Sequence, residues 1–297
     1  VLGSSSSHGG ITIRSGNDDN EYGHILFADG TGGSPDQEGR IGYHHYDNSM
    51  YFATNNSEAL RIDSSGRTLV GHTASLDQNA QLQSFTTGTD TFAGFKYGNN
   101  AAPNIIRLGK SRHASAGGNT IVADDDEIGR LLFSGNDGSQ FRDAAYISAF
   151  VDGAPSNGTD MPGRISFFTS SDGSSVAAER LRIDRNGNVG VGTITPNGYS
   201  NYTTFTINGT TGGQIDIESN STKYGDIYTQ SNALHVRNKQ ASGSGSLSFH
   251  TTNSGTCEER LKITSDGKLL VNGATDGWAF AGGKSLIIGN TTSGTRT

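Results

Sequence analysis

Large apolar and polar residues alternate on both sides of a glycine at three places in the chain. These stretches, residues 58–71, 179–192 and 259–272, align without gaps and read EALRIDSSGRTLVG, ERLRIDRNGNVGVG and ERLKITSDGKLLVN. Alternation with a period of two is typical of a strand with one apolar face, and a glycine between two such runs indicates a tight turn. Each stretch therefore predicts a β-hairpin.

The length of the hairpin loop follows from keeping the apolar residues on one face. A two-residue loop would pair Ile183 with Gly190, whereas a three-residue loop pairs Ile183 with Val189 and keeps the faces separate. The same three-residue register pairs Leu181 with Val191, Ile263 with Leu269, Leu261 with Val271, Ile62 with Thr68 and Leu60 with Val70. Such loops favour a left-handed residue at their third position. That position is Gly66, Gly187 or Gly267, and we predict a positive φ at all three.

Shorter apolar runs precede each hairpin and extend the repeat. The nearer runs are residues 39–43, 163–167 and 245–249, and the farther ones are 11–13, 105–108 and 205–207. The pattern predicts a repeat unit over 1–75, a second over 76–196 with an inserted hairpin, a third over 197–276, and the start of a fourth over 277–297. No window has the periodicity and end signals of a compelling helix. We therefore predict an all-β chain.

Composition shows why one chain needs partners. Among 297 residues there are 43 glycines, roughly twice the usual share, and hydrophobic residues make up 32%. Each hairpin presents only three or four large apolar side chains, each worth about 1.5–3 kcal/mol when fully buried. That is less than the entropy lost in ordering a hairpin. Repeated units in register with two further copies would supply a thin continuous core. We predict that Leu181, Ile183, Val189 and Val191 lie in such a trimer core.

Charge and cysteine content exclude several classes of protein. The net charge of −7 provides no basic field to attract nucleic acid. The longest apolar runs are a few residues, far short of the roughly 20 that span a bilayer, so no membrane insertion is expected. The single cysteine, Cys257, excludes an intrachain disulfide and an all-cysteine metal site.

The run from Glu179 to Pro196, ERLRIDRNGNVGVGTITP, resembles the repeat of tail-fibre and other appendage proteins of tailed bacteriophages. It is similar to repeats that often precede an intramolecular chaperone domain of the endosialidase type. The resemblance implies an elongated fibre of short antiparallel hairpins, in the form of an intertwined parallel homotrimer resembling a β-prism or a triple β-helix. It also implies a location on the virion surface, with other tail or fibre proteins as partners and a role in host attachment.

The sequence shows no clear motif for catalysis or metal binding. His44 and His45 are adjacent, so on a strand they face opposite sides and cannot both reach one metal ion. The acidic runs 17–20 and 124–127 lack the spacing of an EF-hand. No catalytic triad elbow, P-loop or dinucleotide-binding glycine motif is present. We expect no enzyme activity, no metal and no cofactor.

Exposed aromatic rings are the best candidates for ligand contact, because sugars stack on them. The run from Tyr43 to Tyr46 and the only tryptophan depart most from the repeat, and we predict His44, Tyr46 and Trp278 as contacts with a host surface glycan. A shaft whose receptor tip lies elsewhere is the competing interpretation. Two further classes stay open, namely a tailspike that depolymerises polysaccharide and a bacterial trimeric adhesin or appendage subunit.

Overall fold

A computed structural model describes residues 2–3, 10–16, 21–28, 38–219, 222–239, 245–253, 256–265 and 267–271. Within these ranges the chain forms strands and turns and no helix, as the alternating patterns predict. It divides into two compact units, residues 1–106 and 107–297. The predicted fourth repeat unit lies outside the described residues, and the predicted unit boundaries stay predictions.

The first compact unit holds a two-stranded and a six-stranded sheet. The strands of the small sheet are β1 (Leu2–Gly3) and β2 (Gly10–Ile11). Those of the larger sheet are, in spatial order, β3 (Tyr22–Phe27), β4 (Gly39–His44), β5 (Ser49–Thr54), β6 (Ser57–Ile62), β7 (Thr68–Val70) and β8 (Leu82–Ser84). Neighbouring strands of the larger sheet are antiparallel except for β7 and β8, which are parallel.

The second compact unit repeats this six-stranded arrangement and adds two smaller sheets. The six-stranded sheet comprises β9 (Glu127–Asn136), β10 (Phe141–Val151), β11 (Gly163–Ser170), β12 (Ala177–Ile183), β13 (Val189–Val191) and β14 (Phe205–Ile207). Again only the last pair, β13 and β14, is parallel. The smaller sheets comprise β15 (Gln214–Ser219), β16 (Thr222–Gln230) and β17 (Ala233–Asn238), and β18 (Leu247–Asn253), β19 (Thr256–Ile263) and β20 (Leu269–Val271).

All three predicted hairpins form in the predicted register. Ile183 pairs with Val189, Ile263 with Leu269 and Ile62 with Thr68. The loop glycines have φ values of 78°, 82° and 84° at Gly66, Gly187 and Gly267. Each glycine N–H donates to the carbonyl three residues earlier, which closes a turn inside a three-residue loop. The predicted positive φ is confirmed at all three glycines, and this left-handed conformation explains why a glycine recurs at this position.

A β-bulge near the start of each hairpin was not predicted. In β6, β12 and β19 the register with the neighbouring strand skips one residue, namely Ala59, Arg180 and Arg260, respectively. A bulge shifts the alternation by one residue, so side chains three apart come to the same face. It pairs Glu58 with Arg61, Glu179 with Arg182 and Glu259 with Lys262, at 2.6, 2.6 and 3.4 Å. The conserved spacing of acid and base within the repeat is thus an ion pair across a bulge.

One detail of the repeat differs from the prediction. In the first sheet the strand beside the hairpin is β5, so residues 49–54, and not 39–43, correspond to the run at 163–167. The strand formed by residues 39–43 lies one place farther out. The inserted hairpin of the middle unit stays a prediction. The two six-stranded sheets have equal numbers of strands, and residues 85–126 between them contain none.

The parallel strands β8 and β14 join successive repeats. Phe85 donates its N–H to the Val70 carbonyl, and Asn208 donates to that of Val191. This close approach requires glycine at the end of the preceding strand, because Gly71 and Gly192 have positive φ and a Cβ there would meet the carbonyl oxygen of Phe85 or Asn208. Within the described residues, the second and third predicted units therefore each begin with a strand that completes the six-stranded sheet before it.

Each sheet has an apolar face and a polar face, and they are buried unequally. On the polar faces small residues such as Ser49, Ser148 and Ser166 are almost fully buried beneath long neighbours. On the apolar face of the second sheet, Leu131, Phe133, Ile165, Ile183 and Phe205 are 39–59% exposed. A single chain therefore leaves its apolar faces open to solvent.

Candidate ligand-contact surface

The polar face of the first sheet carries the predicted contact residue His44. Strands β3, β4 and β5 place Tyr22, His24, His44 and Tyr51 side by side on this face. The register sets Tyr22 opposite His44 and Gly42 opposite Tyr51. A Cβ at position 42 would overlap the Tyr51 ring, so a glycine there lets the ring lie flat on β4. We call these four residues the histidine–tyrosine cluster.

The rings of the histidine–tyrosine cluster contact one another directly. Tyr22 stacks on His44 with ring centroids 4.4 Å apart and meets the edge of Tyr51 at 6.3 Å. The Tyr51 hydroxyl lies 2.6 Å from Nε2 of His24. Burial, followed by the nearby charge of Arg40, lowers the pKa of His24 below its ordinary value. His24 is therefore a neutral ring at neutral pH, suited to hydrogen bonding and stacking.

Asp47, in the turn after β4, anchors the cluster electrostatically. Its carboxylate lies 3.0 Å from Nδ1 of His44 and 2.7 Å from the Arg61 guanidinium, and it accepts a hydrogen bond from the Ser49 hydroxyl. Burial alone would raise the pKa of Asp47. The hydrogen bond from Ser49 and the charges of Arg61 and His44 outweigh burial and hold that pKa below its usual range.

Tyr46 is the predicted contact residue that faces solvent. It lies in the turn between β4 and β5 with 64% of its surface exposed, and its ring centroid is 6.1 Å from that of His44. His44 is half-buried, with its ring held by Tyr22 and Asp47. The structure thus brings these two predicted residues together, one as an accessible ring and one as its support. The third, Trp278, lies outside the described residues.

Three members of the surface were missed from the sequence. Tyr22, His24 and Tyr51 belong to β3 and β5, which were not recognised as partners of the strand at His44. The alternation Tyr-x-His at residues 22–24 was the available signal, because residues two apart on a strand share a face. The pattern alone does not show that these two residues lie next to His44, because that contact requires β3 to pair with β4.

The second sheet has a different aromatic surface on its polar face. Tyr146 stacks on Phe168 at 4.3 Å, and Phe150 lies 6.2 Å from Phe168. The guanidinium of Arg130 covers the Tyr146 ring at 4.1 Å, and that of Arg164 covers Phe150 at 4.5 Å. These rings are already engaged by cations of the same chain, which leaves less ring surface for a ligand than Tyr46 offers.

The acidic run 124–127 is occupied by groups of its own chain. Asp126 binds Lys110 and Arg112 at 3.0 and 2.6 Å, and Asp125 and Glu127 pair with Arg164 and Arg130. The Asp124 carboxylate accepts the backbone N–H of Gly153. Within the described residues no group of three His, Cys, Asp or Glu side chains could hold a metal ion. The other acidic run, residues 17–20, lies outside them.

The predicted core residues keep their apolar face uncovered in a single chain. Leu181, Val189 and Val191 are half-buried, and Ile183 is 39% exposed. Arg182 lies on the opposite face with its guanidinium bonded to Glu179 by two hydrogen bonds of 2.6 and 2.9 Å.

In the part of the chain that the structure describes, no helix is long and apolar enough to cross a membrane.

Comparisons with known proteins identify structural neighbours but no family. No protein-family model matches the sequence, and no curated protein matches it. The chain is similar to the carboxy-terminal domain of the bacteriophage T5 L-shaped tail fibre, with 13% identity and a TM-score of 0.28 over 69% of this chain and all of that one. The same domain with its intramolecular chaperone domain gives the same identity and TM-score over 69% of each chain. Both solved structures come from a phage tail fibre.

Proposed function

We propose that the chain is a structural and adhesive fibre protein of a bacteriophage virion. It acts as a parallel homotrimer at the virion surface, joined to other tail or fibre proteins, and mediates or supports attachment to the bacterial host. The repeat around residues 179–196, with its resemblance to phage appendage proteins, supports the class of protein. The uncovered apolar faces of the sheets support the assembly.

The proposal depends mainly on one observation. In the six-stranded sheets, small polar side chains are buried on one face, whereas large apolar side chains are exposed on the other. Several large apolar side chains on one face of each six-stranded sheet are exposed, including Ile25 (46%), Phe27 (58%), Ile62 (38%) and Leu82 (69%) in the first. Contiguous exposed apolar surface of this kind marks an interaction surface. Because such faces recur on successive repeats, their partner must present a matching series of apolar faces.

Two more copies of the same chain meet that requirement directly. In a parallel trimer every repeat lies level with its counterparts, so like faces meet at each level without a second protein of matching period. The polar faces, with their ion pairs and rings, then point outward. Tyr46 and the supporting histidine–tyrosine cluster become an external surface that can stack on sugar rings of a host glycan. No chemistry beyond binding is required.

The experiment measures assembly first and adsorption second. Sedimentation of the purified chain is expected to give a trimer. Tyr46→Ala is expected to leave the trimer intact and to reduce adsorption to host cells severalfold, because ring stacking is lost, whereas Tyr46→Phe keeps the ring and serves as the matched control. His44→Ala and Trp278→Ala test the other two predicted contacts.

Three results would overturn the proposal in separable ways. A well-folded monomer in sedimentation would remove the fibre assembly. A trimer whose Tyr46, His44 and Trp278 variants all adsorb like the wild type would remove the glycan contacts and favour a shaft. Release of new reducing ends from host polysaccharide would instead make the protein a depolymerase.

A further inference from the structure

The segment that follows β8 combines exposed aromatic side chains with an unpaired backbone. Residues 86–106, which we call the uncovered segment, contain no strand. Its five large apolar side chains, Phe92, Phe95, Tyr97, Ile105 and Ile106, are 79%, 80%, 93%, 62% and 79% exposed. Four of these five values exceed the exposure of the apolar faces of the six-stranded sheets, which reaches 69% at Leu82. An ordinary linker is instead rich in polar residues.

The backbone of the uncovered segment is as open as its side chains. Among the described residues, no backbone N–H between positions 89 and 106 donates to a backbone carbonyl. The hydrogen bonds that do form involve side chains, including one from the Ala102 N–H to Oδ1 of Asn100. Lys96 Nζ bonds to Asn100 and to the Ala102 carbonyl, and Asn104 donates to the Gly94 carbonyl. Extended backbone next to aromatic residues normally finds a strand partner, because both its polar groups and its side chains then gain contacts.

We propose that the uncovered segment is where the three chains of the fibre intertwine. Each copy pairs its backbone with the same segment of the neighbouring copies and buries Phe95 and Tyr97, which share one face of a strand, around the common axis. The inference rests on the proposed homotrimer and deepens it by locating where backbone pairing changes from within a chain to between chains. The sheets on either side pair their strands within one chain and contribute only side chains to the trimer.

Further copies of the chain are the partner that the segment fits. A parallel trimer brings three equal lengths of unpaired backbone to the same level, so each can satisfy the next. The segment contains only two charged residues, Asp90 and Lys96, so few like charges meet where three copies lie at the same level. It also continues directly from β8, whose Leu82 side chain is 69% exposed on the apolar face assigned to the trimer core.

Cysteine cross-linking of the full-length chain tests this placement. In a Cys257→Ser background, Phe95→Cys places a single thiol per chain at the proposed axis. Mild oxidation is expected to convert most trimers to a disulfide-linked dimer plus a monomer on a non-reducing gel, because two of three thiols can pair. Lys96→Cys in the same background is the matched control, because Lys96 bonds to Asn100 and Ala102 of its own chain, and little cross-linking is expected.

Hydrogen exchange on the wild-type protein gives a readout that needs no substitution. The backbone amides of residues 89–106 are expected to exchange at least tenfold more slowly than in a peptide of the same sequence. Intact trimers with unprotected amides, or with equal cross-linking at positions 95 and 96, would overturn the intertwined segment while leaving the fibre assembly standing. A monomeric wild-type chain would overturn both.

Discussion

The two six-stranded sheets share one framework and differ on their polar faces. Both have five antiparallel strands followed by a parallel one, a bulge with a glutamate–arginine pair, and two left-handed glycines in the last hairpin. On the first sheet the polar face holds the histidine–tyrosine cluster, with Tyr46 beside it in solvent. On the second it holds Tyr146, Phe150 and Phe168, covered by arginines.

This difference suggests separate roles for the two faces: in the proposed trimer the apolar faces serve assembly, and the polar faces are available for recognition. The shared parts all serve strand pairing and the apolar face, which must match between repeats if copies are to stack. The polar face has no such constraint, because in the proposed trimer it contacts solvent. Changes to the strand pairing, the turn glycines and the apolar face should therefore affect both sheets alike, whereas changes to the polar faces, including the bulge ion pairs, should affect the two sheets differently.

The largest effect is expected from a charge on the apolar face. Ile183→Asp in the second sheet, and its counterpart Ile62→Asp in the first, should each abolish trimer formation, because burying an unpaired carboxylate costs several kcal/mol. Sedimentation velocity measures the outcome. Asn186→Asp at the exposed loop tip is the control and should remain trimeric. An intact Ile183→Asp trimer would show that this face lies outside the core.

Glycine substitutions should cause the next largest losses of stability. Their order should separate the cost of the left-handed backbone from the cost of a clash between the new Cβ and a neighbouring atom. Gly187→Val and Gly66→Val should each cost about 1–3 kcal/mol from the left-handed conformation, since space is available around both positions. Gly192→Ala should cost more, because its Cβ would also meet the Asn208 carbonyl oxygen. Denaturant midpoints measure these differences. Gly135→Ala, where no atom lies nearby, should be close to neutral.

The bulge ion pairs should distinguish the sheets. Glu179→Gln leaves the Arg182 guanidinium, 13% exposed, without its charged partner, and a loss of about 1–3 kcal/mol is expected. Glu58→Gln should cost less, because Arg61 keeps Asp47 at 2.7 Å. Glu38→Gln, in an exposed turn, is the control for unfolding measurements. Equal losses at residues 58 and 179 would mean that Asp47 does not substitute as a partner.

The smallest effect concerns pH and the first sheet alone. Because the pKa of Asp47 is lowered in the folded state, its stabilisation is present above the unfolded value of about 3.9 and is lost as pH falls through the folded value. Wild type should therefore exceed Asp47→Asn in stability at pH 6, with the difference shrinking below about pH 4. The effect is modest, since Asp47 is 41% exposed. A difference that is constant with pH would contradict this role.

The candidate site was only partly predictable. The run from Tyr43 to Tyr46 stood out because it departs from the repeat, and Tyr46 is indeed an exposed ring. Tyr22, His24 and Tyr51 reach His44 through pairing between β3, β4 and β5, and aromatic stacking depends on that pairing. Residues 39–43 were placed wrongly. They resemble residues 163–167, which lie beside the second hairpin, but one further strand, β5, separates them from the first hairpin.

The sequence by itself determined the hairpins, because the period of two and a left-handed glycine act over neighbouring residues. Register, loop length and the position of the turn glycine follow from those local constraints. Only the tertiary structure decided the bulges, the acid–base pairs across them, and the parallel strands β8 and β14. These features depend on how each strand is paired with its neighbour, and several pairings satisfy the same alternation of apolar and polar residues. Hydrogen bonding between whole strands selects one of them.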